Sequence, residues 1–246
     1  MSWKVVVADY GENVYYGGFF DLESRLAALK SIGYDGLERL DARTEGAALS
    51  GAATFRRLGC VFCTVGALSP ELSIKWSAAF GCTYVWPMVS GQDLDTFCRQ
   101  VNHQAEACET YGIRVAVHNH MGQCVETHDQ VLEYLRRCPK TGLILDTAHL
   151  AAVGGDPVAI AAEFTDRIAF VHFKDWIAER EADVWHKRGR FCELGAGNIG
   201  LDNAAVVEAL RKGGYCGAVG VEQDTHLRDP LEDLKVSREY LRACGV

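Results

Sequence analysis

A chain of 246 residues with 48% hydrophobic and 24% charged residues has the composition of a folded globular enzyme, long enough for one large core and too apolar for disorder. Its 25 Lys plus Arg against 33 Asp plus Glu give a formal charge of −8, and there is no basic run that could track a phosphate backbone, so nucleic acid is not an expected partner. No apolar stretch approaches the roughly 20 residues of a membrane span, and the first residues lack a cleavable signal pattern, so no membrane partner is expected and the cytoplasm is the expected location.

In chain order, Val5 to Tyr10 is a β-branched run suited to a strand buried on both faces, followed by a loop containing Gly and Asn. Asp21 precedes a helical stripe through Leu22, Leu26 and Leu29 that stops at Gly33. Gly36 to Leu40 reads as the second strand, with Glu38 inside it; Thr44 to Leu58 reads as a helix and Cys60 to Gly66 as the third strand. Cys60 and Cys63 form a C-x-x-C, but three-residue spacing on a strand puts them on opposite faces. With ten cysteines scattered singly, reduced thiols with packing roles are expected rather than a zinc site or a disulfide scaffold.

Ser69-Pro70-Glu71 opens the next helix with a cap and a proline in its first turn. Cys82 to Val89 is the fourth strand, Asp93 to Tyr111 a long helix stopped by Gly112, and Ile113 to His120 the fifth strand. Thr127 caps the following helix, with Gln130 placed for a capping box. Gly142 to Asp146 and Ile168 to His172 are strands six and seven, separated by Gly154-Gly-Asp-Pro157 and an Ala/Ile/Phe-rich helical pattern up to Phe164. A polar insertion at about 176–200 leads to the Asp202 to Lys212 helix, strand eight at Ala218 to Asp224 and a closing helix, Pro230 to Ala243.

Eight strands alternating with eight helices predict a single-domain (β/α)8 TIM barrel. A doubly wound sheet would want fewer strands and a Gly-rich phosphate loop after strand one, and Gly11-Glu-Asn-Val-Tyr-Tyr-Gly-Gly is not a G-x-G-x-x-G.

Barrel chemistry sits where strands end. Strand five ends in His118-Asn119-His120, strand six in Asp146 and His149, strand seven in His172, Lys174 and Asp175, and strand eight in Glu222 and Asp224. A carboxylate from strand six, an imidazole from strand seven and a carboxylate from strand eight make a mixed oxygen and nitrogen site for a divalent ion, with Mn²⁺ or Co²⁺ favoured and Mg²⁺ or Zn²⁺ also compatible. Taken singly, each is as readily a satisfied polar residue at a strand end; together in one barrel mouth they are costly to bury unless paired or bound to a metal.

The segments His118-Asn-His-Met-Gly, Leu145-Asp-Thr-Ala-His149, Val171-His-Phe-Lys-Asp175, Glu193-Leu-Gly-Ala-Gly-Asn-Ile-Gly-Leu-Asp202 and Val221-Glu-Gln-Asp224 resemble the sugar phosphate isomerase/epimerase superfamily of xylose isomerase-like barrels, and within it the inosose dehydratases. The resemblance is strong from Ile113 onward and only architectural before it. It implies metal ligands at Asp146, His172 and Glu222 and substrate contacts at His149 and Lys174.

One departure matters. The superfamily usually places a metal-binding glutamate on strand five, where this chain has Ala116, His118 and His120. Glu126, just beyond the Met-Gly turn, could fold back as fourth ligand or stay a solvated carboxylate favoured by the helix that follows; His118 is the other candidate. Epimerisation needs acid/base groups on both faces of an enolate, which the family supplies with two glutamates, and this chain keeps only Glu222 of that pair. Imidazoles at His118 and His120 suit proton transfer near neutral pH, so an elimination of water from a keto-sugar or keto-polyol is expected.

Trp86, Tyr10 and Trp176 are candidates for an apolar wall against a sugar ring, Arg188 and Arg190 for an anion anchor or mere solvation, and Glu38 for a hydrogen bond within the mouth. The insertion reads as a lid or as a homo-oligomer contact. The alternatives left open are a ketose isomerase or epimerase, a non-catalytic sugar-binding or accessory barrel, and, against the −8 charge, a DNA-repair barrel of the endonuclease IV type.

Overall fold

Short β-branched runs alternate with capped helical stripes along the chain, and the computed structural model, which describes residues 3–8, 21–89 and 93–246, curls them into a TIM barrel. The strands are β1 (Val5–Val7), β2 (Gly36–Leu37), β3 (Arg39–Asp41), β4 (Thr64–Gly66), β5 (Tyr84–Val85), β6 (Arg114–His118), β7 (Gly142–Asp146), β8 (Ile168–Phe173), β9 (Asp175–Ala178), β10 (Gly189–Cys192) and β11 (Val219–Val221). The helices are α1 (Leu22–Ser31), α2 (Glu45–Leu58), α3 (Pro70–Ala79), α4 (Leu94–Thr110), α5 (His128–Arg137), α6 (Thr147–Ala152), α7 (Pro157–Glu163), α8 (Asn203–Lys212) and α9 (Pro230–Ala243).

A parallel sheet runs in the order β2-β1-β11-β8-β7-β6-β5, so the first and last barrel strands are hydrogen-bonded neighbours, as closure demands. The second barrel strand is one extended segment in two pieces. Its first half, β2, pairs with β1, and its second half, β3, pairs with β4. The break falls at Glu38, whose carbonyl accepts from both Cys63 N and Thr64 N. Two residues opposing one is a bulge, the device that re-aims a side chain at a barrel rim.

Each of the nine α-helices described opens on a side-chain cap: Asp21, Thr44, Ser69, Asp93, Thr127, Asp146, Asp156, Asp202 and Asp229 all accept from an amide in the first turn. The expected capping box at Thr127 and Gln130 is complete. The principal core lies between the sheet and the helices, and a smaller one, with Val6, Tyr84, Ala116, Ile144 and Phe170, fills the barrel interior. Cys60 belongs to the first and Cys63 packs against the second, as their spacing required, and all ten cysteines are free thiols.

The differences from expectation are local. The strand expected over Val5 to Tyr10 is described as Val5–Val7, and Tyr10 lies outside the described residues. Strand four shrinks to Tyr84–Val85, consistent with Pro87 lacking an amide for a ladder. Thr147 to His149, read as the polar end of strand six, is instead the start of the extra helix α6, because Asp146 terminates the strand and caps the next turn at once. The insertion carries its own antiparallel hairpin, β9 with β10. Among the described residues no helix is long and apolar enough to cross a membrane.

Gly36 makes the close approach at the bulge possible. It sits at φ +155°, and a Cβ there would lie 2.0 Å from the Val61 carbonyl oxygen. Gly36→Ala is therefore predicted to cost about 2–3 kcal/mol, read as a lower urea midpoint. Gly46→Ala, with open space around the new methyl, serves as the control and should leave the midpoint unchanged or raise it.

Candidate metal centre

Inward-facing positions alternate along each barrel strand, so the apolar floor of Tyr84, Ala116, Ile144 and Phe170 is followed two residues later by Trp86, His118, Asp146 and His172. The register pairs Asp146 directly with His172, while Glu222 follows the end of β11 with its amide on Phe173 O. One ligand atom each from His118, Asp146, His172 and Glu222 lies within 4.8 Å of all the others.

Within this cluster His118 Nε2 is 3.2 Å from Asp146 Oδ2 and 3.1 Å from His172 Nδ1. Glu222 Oε2 stands 2.8 Å from the same Nδ1 and 3.1 Å from Lys174 Nζ, with hydrogen-bond geometry to neither. Asp146 works twice: Oδ1 accepts from His149 N as the cap of α6, leaving Oδ2 to face the cluster. Its backbone is clamped by Asn119, whose side-chain amide bonds both Asp146 N and Asp146 O.

Burial alone would hold these carboxyls protonated, but the Lys174 ammonium and the imidazoles around them outweigh it. Asp146 lies well below the usual carboxylate range because of His149, Lys174 and His118, and Glu222 because of Lys174 and His172. Burial likewise opposes charge on His172 and Lys174, yet Glu222 and Glu38 hold the imidazole well above its usual value, and Asp224, Glu222 and Asp146 do the same for the ammonium. His118 and His149 go the other way: burial dominates and favours their neutral forms.

Lys174, 1% exposed, reaches Asp224 Oδ2 at 2.7 Å and His149 Nε2 at 3.4 Å, and its ammonium lies 4.0 Å from the Phe191 ring centroid. His120 and His149 stack with ring centroids 3.7 Å apart. His120 Nδ1 is 2.6 Å from Met121 O and must donate to it, leaving Nε2 as an acceptor. His149 faces two donors, Met121 N at Nδ1 and the Lys174 ammonium at Nε2, and a neutral imidazole can accept at only one of them. Trp86 stands over His118 and His172, with centroids 5.2 and 5.9 Å away, and donates to Glu38.

Two expected positions lie elsewhere. Glu126, weighed as a fourth ligand, turns its carboxylate to the Gly122 amide, and His118 occupies the fourth place in the cluster. Arg190, considered as a substrate contact, pairs with Glu179 across the hairpin; strand alternation sends Phe191, not Arg190, toward His149 and Lys174. Arg188 bonds Ala182 O within the insertion, and Trp176 is buried against Phe191.

Sequence reasoning missed Trp185, whose ring stands 5.4 Å from that of His120 and 5.6 Å from that of His149. An aromatic inside a charged insertion was its only signal. It also missed how the insertion is anchored: buried Asp175 accepts from Trp176 N, Gly195 N and Gly197 N, which ties the Gly-Ala-Gly turn to the end of the seventh barrel strand.

A barrel whose C-terminal mouth gathers four side chains that could hold a metal ion is of the α/β-barrel class, and comparison with known proteins names its family. The profile of the xylose isomerase-like TIM barrel matches residues 57–244, so the chain belongs to that family. Among curated proteins it is 31% identical over 169 residues to an inosose dehydratase of Lactiplantibacillus plantarum, covering 63% of this chain and 56% of that one. It is 34% identical over 167 residues to the rhizopine catabolism protein MocC of Rhizobium meliloti, covering 63% and 51% respectively. The chain thus spans about half the length of the curated relatives it matches. In fold it is similar to an IOLI protein with a bound zinc atom, with TM-score 0.68, 16% identity and coverage of 98% of this chain and 97% of that one. An L-ribulose 3-epimerase superposes with TM-score 0.71 at 16% identity, covering 99% and 94%.

The depressed carboxyls set the acid limb of stability. Their folded pKa values lie below the unfolded ones, so the unfolded chain binds more protons as pH falls and stability is lost in that direction. The contribution is complete above the ordinary carboxylate range and disappears below it. In metal-free protein the urea midpoint should fall through this window, and Glu222→Gln should make the fall shallower; identical acid limbs would refute the assignment.

Proposed function

We propose that this chain is a divalent-metal-dependent lyase that takes the proton next to the carbonyl of a keto-polyol or keto-sugar and expels a neighbouring hydroxyl as water, as an inosose dehydratase does. The observation that carries the reading is the four-residue cluster lying beside two stacked imidazoles and the buried Lys174 ammonium.

The donor set fits a metal. Four buried or nearly buried side chains bring carboxylate oxygens and imidazole nitrogens together, and Glu222 Oε2 has no hydrogen bond of its own. His118, Asp146, His172 and Glu222 would hold the ion, Mn²⁺ or Co²⁺ suiting two imidazoles with two carboxylates. Bound there, it would supply a Lewis acid that polarises the substrate carbonyl.

The chain's own residues do the rest. His120 Nε2, with its lone pair free, takes the carbon-bound proton, and the Lys174 ammonium, beside His149, gives a proton to the departing hydroxyl. The C–H and C–O bonds break, a carbon–carbon double bond forms, and water leaves. His149 stacks on His120 and meets Lys174, so this base and acid lie on one side of the substrate, as elimination from a single face requires. Trp86, just past the fourth barrel strand and beside His118, walls the substrate ring.

Incubation with an inosose in D₂O tests the reading: loss of water with deuterium uptake supports it. Deuterium uptake with an isomeric product would make the chain an epimerase or isomerase, and no exchange with metal present would remove the catalytic reading for that substrate. Asp146→Asn keeps a residue that caps α6 equally well but removes the charge, so bound metal should drop while the fold persists. Normal metal content in that variant would refute Asp146 as a ligand.

A further inference from the structure

Glu38 lies outside the ligand cluster, yet the local backbone is arranged around it. It is 3% exposed, at the bulge that splits the second barrel strand, and its side chain crosses the barrel interior to the seventh. Oε1 accepts from Tyr84 OH and Trp86 Nε1, both at 2.9 Å. An indole N–H can only donate, so Oε1 is committed as an acceptor. Oε2 is then left to face His172 Nε2 at 2.8 Å.

A histidine ligand has two ring nitrogens, and a metal takes whichever lacks a proton. His172 presents Nδ1 to Asp146, His118 and Glu222, and Nε2 to Glu38 alone of these carboxylates. We propose that Glu38 is a positioning residue that accepts the Nε2 proton of His172, thereby fixing ring orientation and reserving Nδ1 for the metal, with Tyr84 and Trp86 holding the carboxylate in place. A carboxylate behind a ligand imidazole also raises the basicity of the coordinating nitrogen. The inference rests on the metal reading of the cluster and adds a fifth residue, from another strand, to what sets its affinity.

The demand on position 38 is strict. Two donors meet one oxygen and a third meets the other, so an ionised carboxylate satisfies all three. Glutamine has one oxygen and must set its amide hydrogens against either Tyr84 and Trp86 or His172.

Zn²⁺ is the probe, measured on the whole chain by competition with a chelator and by ¹⁵N-histidine spectra of the loaded protein. The expectation is a solvent-shielded proton on Nε2 of His172 in wild type, and in Glu38→Gln a loss of that signal with Zn²⁺ affinity weaker by about 10- to 100-fold. A cooperative thermal transition in the variant shows that the loss is local. Unchanged affinity in Glu38→Gln, or a wild-type spectrum with the proton on Nδ1, overturns the role of Glu38 while leaving the metal site standing. No Zn²⁺ bound by wild type overturns both. Should Glu38→Gln fail to fold, the wild-type spectrum decides alone.

Discussion

The structure depends on bringing negative charge into an apolar barrel and compensating it there. Glu38, Asp146, Glu222 and Asp224 converge with little solvent to screen them, and the cations that answer them are Lys174 and His172. Isolated carboxylates would be forced to protonate in such a place. Instead Asp146 and Glu222 are pulled below their usual range and His172 above its own, which is the signature of charges paired too closely for any one to be removed freely. The same crowding leaves Glu222 Oε2 without a proper hydrogen bond, an imperfection that a divalent cation would resolve.

The surrounding elements make that concentration sustainable. Asp146 is immobilised through its backbone by Asn119 and through one oxygen by α6, so only the other oxygen is left to face the centre. The insertion brings Trp176, Trp185 and Phe191 over the ends of the fifth to seventh barrel strands, and buried Asp175 ties down the turn that follows. An aromatic cover lowers the local dielectric, which strengthens every ion pair beneath it.

Most of the barrel was legible because its signals are local: caps at Ser69 and Thr127, a proline opening α3, and β-branched runs of strand length. The convergence of Asp146 with His172 followed from two consecutive strands having polar ends, and the register shows them paired. What stayed hidden depends on partners far apart in sequence. Arg190 and Phe191 are adjacent residues whose facing is decided by pairing with β9, and no local pattern says which one points inward. Helix α6 was missed because a strand-ending aspartate and a helix cap are the same residue here. Glu38 was visible as a carboxylate in an apolar strand, but its bond to a histidine 134 positions away was not.

His118 links the composition of the centre to the chemistry proposed for it. The family's usual strand-five glutamate would serve as ligand and as one of two bases facing across an enolate; an imidazole within the cluster, 3.2 Å from Asp146 and 3.1 Å from His172, is held by its neighbours and largely denied charge by burial. On the proposed reading, proton transfer then falls to groups outside the cluster. His120, beyond the fifth barrel strand, and His149, on α6, are stacked rather than opposed, and His149 Nε2 faces the Lys174 ammonium. Opposed groups would exchange a proton between two faces of a substrate and invert a centre; groups on one side can remove a proton and release a hydroxyl on one face. On the proposed reading, replacing one carboxylate by an imidazole at position 118 moves the proton machinery one strand end further along, and the reaction it favours changes from inversion to loss of water.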